Sequence, residues 1–130
     1  MRRALLGAFV ALAAAQVQAH ASAPCEGVER GESTPSLSAR VATQLHDPKA
    51  KALRTFAYDG WEIVEVAFGD AKNAFVFYSA DPLSSEYVAL WRGAKDLDGV
   101  SQAKEWTVES APGIPNQLAR CFAVRVTAAR

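Results

Sequence analysis

The sequence predicts a single small α+β domain: an antiparallel meander of three or four strands packed against an N-terminal helical region and a C-terminal helix. Three observations carry that expectation. Residues 61–92 hold three short runs rich in Val, Phe, Tyr and Trp, separated by turn-forming segments. Ahead of them, Thr34-Pro35 opens a stretch in which Leu37, Val41 and Leu45 recur at four-residue spacing, the mark of one buried helical stripe. Behind them, Asn116-Gln117-Leu118 begins a segment that places Leu118, Cys121 and Phe122 on one helical face.

The chain opens with Arg2 and Arg3, then an apolar run, Ala4–Ala15, interrupted only by Gly7; small residues follow at Ala19, Ala21 and Ala23. This is the layout of a secretory signal peptide. Cleavage is expected after Ala19 or Ala21, because Pro24 disfavours a cut after Ala23. The apolar run falls short of the roughly 20 residues that span a bilayer, so no stable membrane anchor is expected in the mature chain. Removing residues 1–21 leaves roughly 110 residues, enough for one compact domain and no more. The chain has 14 basic and 14 acidic residues, and the signal segment takes away Arg2 and Arg3 only. The mature protein is therefore slightly acidic, which argues against nucleic acid or anionic lipid as its partner. A periplasmic or secreted location follows from the signal.

Cys25 and Cys121 lie near opposite ends of the mature chain, and an exported compartment lets disulfides persist. Closing so long a loop restricts the unfolded chain by roughly 4–5 kcal/mol in the loop-entropy description. Neither a CxxC spacing nor a neighbouring histidine points to a reactive or metal-binding pair instead.

Residues 22–33 carry Pro, Gly and three glutamates with little apolar content, and read as an irregular arm held at Cys25. Thr34 is the expected N-cap, with Pro35 at the first helical position. Asp47-Pro48 repeats that signal, so a second short helix over residues 48–56 is expected, burying Ala52, Leu53 and Phe56. Asp59-Gly60 turns the chain into the first strand, Trp61–Phe68. The next two are Ala74–Ser79 and Glu86–Arg92. In the first, Val64, Val66 and Phe68 share one face, and Trp61, Ile63, Glu65 and Ala67 the other. Phe75 and Phe77 oppose Val76 and Tyr78, and Val88 and Leu90 oppose Tyr87, Ala89 and Trp91. Neither face is cleanly polar, so either both are covered or one is partly bare for a partner. Buried positions are expected at Leu37, Val41, Leu45, Leu53, Phe68, Phe75, Phe77, Val88 and Leu90. Residues 101–110 fit a helix with Ala103 and Trp106 inward, or a fourth strand in which Trp106 and Val108 alternate with polar neighbours. Val124, Val126 and Thr127 are β-branched and would allow an extended end.

No motif of catalysis or cofactor binding is present. His46 is the only histidine well inside the mature chain, so an imidazole metal site is not expected, nor any cofactor. No GxSxG context or phosphate-binding glycine loop occurs. Glu62 and Glu65 stand three apart on a strand and so on opposite faces, which rules them out as a close carboxylate pair.

What remains is an aromatic and basic set on the sheet: Trp61, Tyr78, Tyr87, Trp91 and Arg92. Tyr, Trp and Arg anchor protein interfaces more often than other residues. The competing reading is that they line the second core face. The loop Asp81–Ser85 is a further candidate contact. The layout of helices, exported meander and closing segment resembles that of periplasmic lysozyme inhibitors, whose active loop carries a Cys-Lys-Pro-His-Asp-Cys motif between strands. The corresponding place here reads Phe68-Gly69-Asp70-Ala71-Lys72-Asn73, with neither cysteine nor histidine. The resemblance is one of architecture, which does not by itself transfer function.

The expectation is a small exported, non-enzymatic binding protein, an inhibitor or immunity-type partner of another protein in the cell envelope or exterior. A homodimer through the aromatic face is the self-association form of the same reading. The alternatives are a small-ligand carrier with a pocket between sheet and helices, and an enzyme without a recognisable motif.

Overall fold

The chain runs β1 (Glu29–Glu32), α1 (Pro35–Gln44), β2 (Ala50–Tyr58), β3 (Trp61–Phe68), β4 (Ala74–Tyr78), β5 (Ala89–Trp91), α2 (Val100–Ser110) and α3 (Asn116–Ala128). This is a computed structural model that describes residues 23–69, 73–93 and 99–128. The expected signal segment, residues 1–21, lies outside the described residues. The strands pair in sequence order, all antiparallel, to form one five-stranded sheet. The α+β class is as expected. The strand count exceeds three or four because two segments read otherwise are strands.

The first of these is residues 50–56, which belong to β2 rather than to the expected short helix over residues 48–56. Asp59 and Gly60 take positive φ, 49° and 82°, so β2 turns directly into β3 through a two-residue hairpin. Pairing between the two strands slips between Ala52 and Arg54, leaving Leu53 as the extra residue of a bulge. Ala52 and Phe56 are buried on opposite sides of the sheet, whereas Leu53 is exposed. The second is the supposed arm. Within it, β1 pairs with β2, although its four residues include no large apolar side chain. Gly31 permits the approach, because a Cβ there would stand 2.5 Å from Thr55 Oγ1.

Helix α1 begins as its sequence dictates. Thr34 Oγ1 accepts a hydrogen bond from the Leu37 amide at 3.2 Å, and Pro35 occupies the first turn. Leu37 and Val41 are buried against Ala50, Ala52, Val64, Val66, Val76 and Tyr78, with Leu45 packed beside them. On the opposite face, α2 and α3 close an aromatic core. Phe122 lies 4.9 Å from Phe77, 5.2 Å from Phe75 and 5.4 Å from Trp91 between ring centroids, and Trp106 lies 4.6 Å from Trp91. Edge-to-face pairs of this kind add to simple burial. Both faces of the sheet therefore carry helices.

Residues 101–110 are helical, and α3 stays helical through Val124, Val126 and Thr127 to Ala128. Strand β5 is shorter than the expected Glu86–Arg92. Val88 falls before it and is exposed instead of buried, and Tyr87 leans on the α1 side instead of sharing a face with Trp91. The Cys25–Cys121 disulfide ties the segment before β1 to α3. Gln117 reinforces it, donating from Nε2 to the carbonyls of Glu26 at 2.6 Å and Pro24 at 3.3 Å. Glu65 is buried on the α3 side but fully partnered. It accepts from Asn73 Nδ2 at 3.0 Å and Arg125 Nη2 at 3.2 Å, with Arg54 Nε at 3.8 Å.

Candidate functional site

All the turns at one end of the sheet belong to the start of β1, the β2–β3 hairpin and the connection from β4 to β5. The strand register explains why a hollow forms there. Glu29 pairs with Ala57, and Ala57 pairs with Glu62, so these three side chains form one row across three strands on the α1 face. Ala57 is the small member between two longer carboxylates. Helix α1 packs on Ala52, Val64 and Val66. The row Glu29–Ala57–Glu62 is not part of that packed cluster.

The result is an open cleft of about 850 Å³. Tyr58 and Trp61, the paired residues flanking the hairpin turn, line it together with Glu29, Asp59, Glu62 and Asp81. Both rings lean to the α2–α3 side of the sheet, packed against the core that holds Phe56 and Ile63, opposite the Glu29–Ala57–Glu62 row. Gly27 lies under Tyr58, where a Cβ would meet Cε2 at 3.4 Å, and Gly113 lies under Trp61, where a Cβ would meet Cζ2 at 3.7 Å. Burial pushes the Glu62 carboxyl up from the ordinary carboxylate range, and the charge of Asp81 adds to the rise. Two carboxylates here thus repel each other in a partly desolvated setting.

The rim is held in place by α1. Arg40 donates from Nε to the Pro82 carbonyl and from Nη2 to the Ser85 carbonyl, each at 3.3 Å, and reaches Glu86 Oε1 at 3.4 Å. Gln44 Nε2 donates to the Ser85 carbonyl at 2.8 Å, while its Oε1 accepts from the buried Tyr78 hydroxyl. Asp81 Oδ1 accepts from the Leu83 amide at 3.0 Å, and its carbonyl accepts from Ser85 Oγ at 2.6 Å. Leu83 projects from this pinned loop half exposed.

The five side chains singled out in the sequence do not form one patch. Tyr78 and Trp91 are buried, at 0% and 4% exposure, under α1 and under α2 and α3 respectively. An exposed contact surface built on them is therefore corrected by the structure: the closing segment does cover Trp91. Tyr87 is half-buried against the α1-side cluster. Arg92 is exposed, its guanidinium 5.1 Å above the Phe68 ring. Trp61 alone lines the cleft. It stands at the start of β3, whereas Trp91 pairs with Phe75 at the far end of the sheet. The sequence reading missed Glu29, Tyr58, Asp59 and Glu62 as site residues. Tyr-Asp-Gly-Trp at 58–61 was the available signal, since an Asp-Gly pair between aromatic residues marks a hairpin tip.

No three His, Cys, Asp or Glu side chains among the described residues are placed to hold a metal ion. No described helix is long and apolar enough to cross a membrane. Between the sheet and α3, the cavity beside Phe56, Ile63, Phe75 and Phe122 measures about 10 Å³. Small-ligand sites usually measure roughly 300–1,000 Å³, a range that this cavity falls below and the hairpin-end cleft falls within. No family model, curated protein or solved structure matches this chain.

Proposed function

We propose that this is a small exported binding protein, without catalytic activity, that docks another protein at the hairpin end of its sheet. The observation that carries the reading is the cleft itself. Tyr58, Trp61 and four carboxylates line it, and beside it runs a loop that α1 pins and that carries the half-exposed Leu83. Aromatic anchors surrounded by polar groups are the usual anatomy of a protein-recognition surface. Export is supported by the N-terminal signal layout and by a disulfide that an oxidising compartment would maintain.

The test compares immobilised protein with its Trp61→Ala variant on envelope extract. The expected result is a protein retained by the parent and weakened by about 2 kcal/mol in the variant, with cooperative unfolding preserved. Equal capture by both would reject the cleft as the docking site. A small molecule that co-purifies and is visible by native mass spectrometry would favour the carrier alternative.

A further inference from the structure

We propose that two copies of this chain join through the outer edge of β1, running their two sheets into one. Strand β1 ends the sheet, and among the described residues no strand lies beyond it. The register shows which of its backbone groups face outward. The Phe77 carbonyl accepts from the Val88 amide at 2.7 Å, so it points at β5. That direction alternates from residue to residue along a strand. Val76 and Tyr78 therefore point their polar backbone groups at β3, where Tyr78 pairs with Glu62, and Trp61 and Ile63 point theirs at β2. Tyr58 pairs with Trp61 across the two-residue turn, so Ala57 and Thr55 face β1 and meet Glu29 and Gly31. Arg30 and Glu32 are left with amide and carbonyl directed away from the sheet.

These two residues also set the register of the contact. In an antiparallel pair, residues that face the partner strand must meet residues that face back. Around a twofold axis, Arg30 then meets Arg30, Glu32 meets Glu32, or each Arg30 meets Glu32 of the second copy. The first two arrangements put like charges directly opposite one another, and the third puts opposite charges together twice. It centres the axis on Gly31 and sets Glu29 against Ser33. Strands at such a central pair approach to about 4.5 Å between Cα atoms, and glycine brings no side chain there. Arg30 lies 5.9 Å from the Phe56 ring on the α2–α3 face, the same face to which Glu32 of the second copy would come. Both residues are exposed, and neither forms an ion pair among the described residues. Charges on an edge strand ordinarily keep other strands away. The order Glu-Arg-Gly-Glu makes this edge complementary to itself, which is why a second copy fits it.

Sedimentation equilibrium of the oxidised mature chain, from micromolar to millimolar concentration, tests the contact. The expected result is a reversible monomer–dimer equilibrium. Arg30→Glu and Glu32→Arg each set like charges opposite one another and should weaken the dimer about ten-fold or more. In an equimolar mixture of the two variants, the mixed dimer regains opposite charges at both pairs. Association should then return to within about three-fold of the parent. Each variant keeps its own internal neighbours in the mixture, so a disturbed β1 cannot mimic that rescue. A chain that stays monomeric throughout, single variants that associate like the parent, or a mixture no better than its components would each overturn the proposal. So would a monomer that loses a captured envelope protein on Arg30→Glu, since the edge would then belong to a different partner. None of these outcomes depends on Trp61→Ala, so the docking reading of the cleft stands or falls separately.

Discussion

The two faces of the sheet are built by different means. The α2–α3 face is filled by large rings: Phe75, Phe77, Trp91, Trp106 and Phe122 interlock, and the disulfide fastens the helix that carries Phe122. The α1 face uses alanine and valine under a single helix and contains a polar relay, Tyr78 to Gln44 to Ser85. One helix cannot cover the whole of its side of a five-stranded sheet. The cleft lies where that cover ends. A domain can thus put its cohesion on one face and keep the other free to present a site.

The largest effect that would break this contrast is on the aromatic face. Phe122→Ala should cost about 3–5 kcal/mol of stability, because truncating a buried ring leaves a cavity among rigid neighbours. Urea unfolding measures it. A loss below about 1 kcal/mol would mean that the aromatic face is not where cohesion resides.

On the α1 face, Tyr78→Phe removes one hydroxyl and leaves the Gln44 acceptor unpaired, a change of about 1–3 kcal/mol near neutral pH. The same variant carries a pH signature. Burial pushes the Tyr78 hydroxyl up to about 12 from 10.0, with Glu86, Tyr87 and Glu62 adding to the rise and Arg40 opposing it. The folded state therefore holds this proton after the unfolded chain has released it. The resulting stability is whole below pH 10 and is lost as pH climbs from 10 to about 12. Tyr78→Phe should flatten that part of the stability profile. An unaltered alkaline limb would show that another group controls it.

The smallest effect sharpens the role of α1 as a lightly fastened cover. Thr34→Ala deletes the side-chain acceptor for the Leu37 amide and should cost about 1 kcal/mol. Hydrogen exchange should rise in the first turn of α1 while the Phe77 amide stays protected. Uniform loosening of both would mean that the two faces unfold as one unit.

What the sequence made legible was set by how local each signal is. Thr34-Pro35 with Leu37 and Val41 marks α1 because cap, proline and stripe lie within two turns. The alternation separates Val64 and Val66 from Ile63 within β3, and Phe75 and Phe77 from Val76 and Tyr78 within β4, but only the register puts Phe75 and Phe77 on the face opposite Val64 and Val66. Strand β2 was illegible for a physical reason. Its bulge at Leu53 inserts one residue, so Ala52, Leu53 and Phe56 fall at a spacing that mimics a helix, just after an Asp-Pro pair that mimics a cap. The Glu-Arg-Gly-Glu of β1 offers no apolar pattern at all and becomes a strand only because β2 is there to pair with it. The cleft inherited both obscurities. Glu29, Ala57 and Glu62 are far apart in sequence and become neighbours only through the register of those two strands.

Arg40 has a consequence for recognition that reaches beyond the bonds it makes. By holding the Pro82 and Ser85 carbonyls against α1, it immobilises the segment that carries Asp81 and Leu83 during folding itself. If the rim docks a partner as proposed, that partner meets a surface whose conformational entropy has already been lost, so association need not order the loop. Encounter should then be rigid-body and ungated, its rate set by diffusion and by long-range attraction between charges.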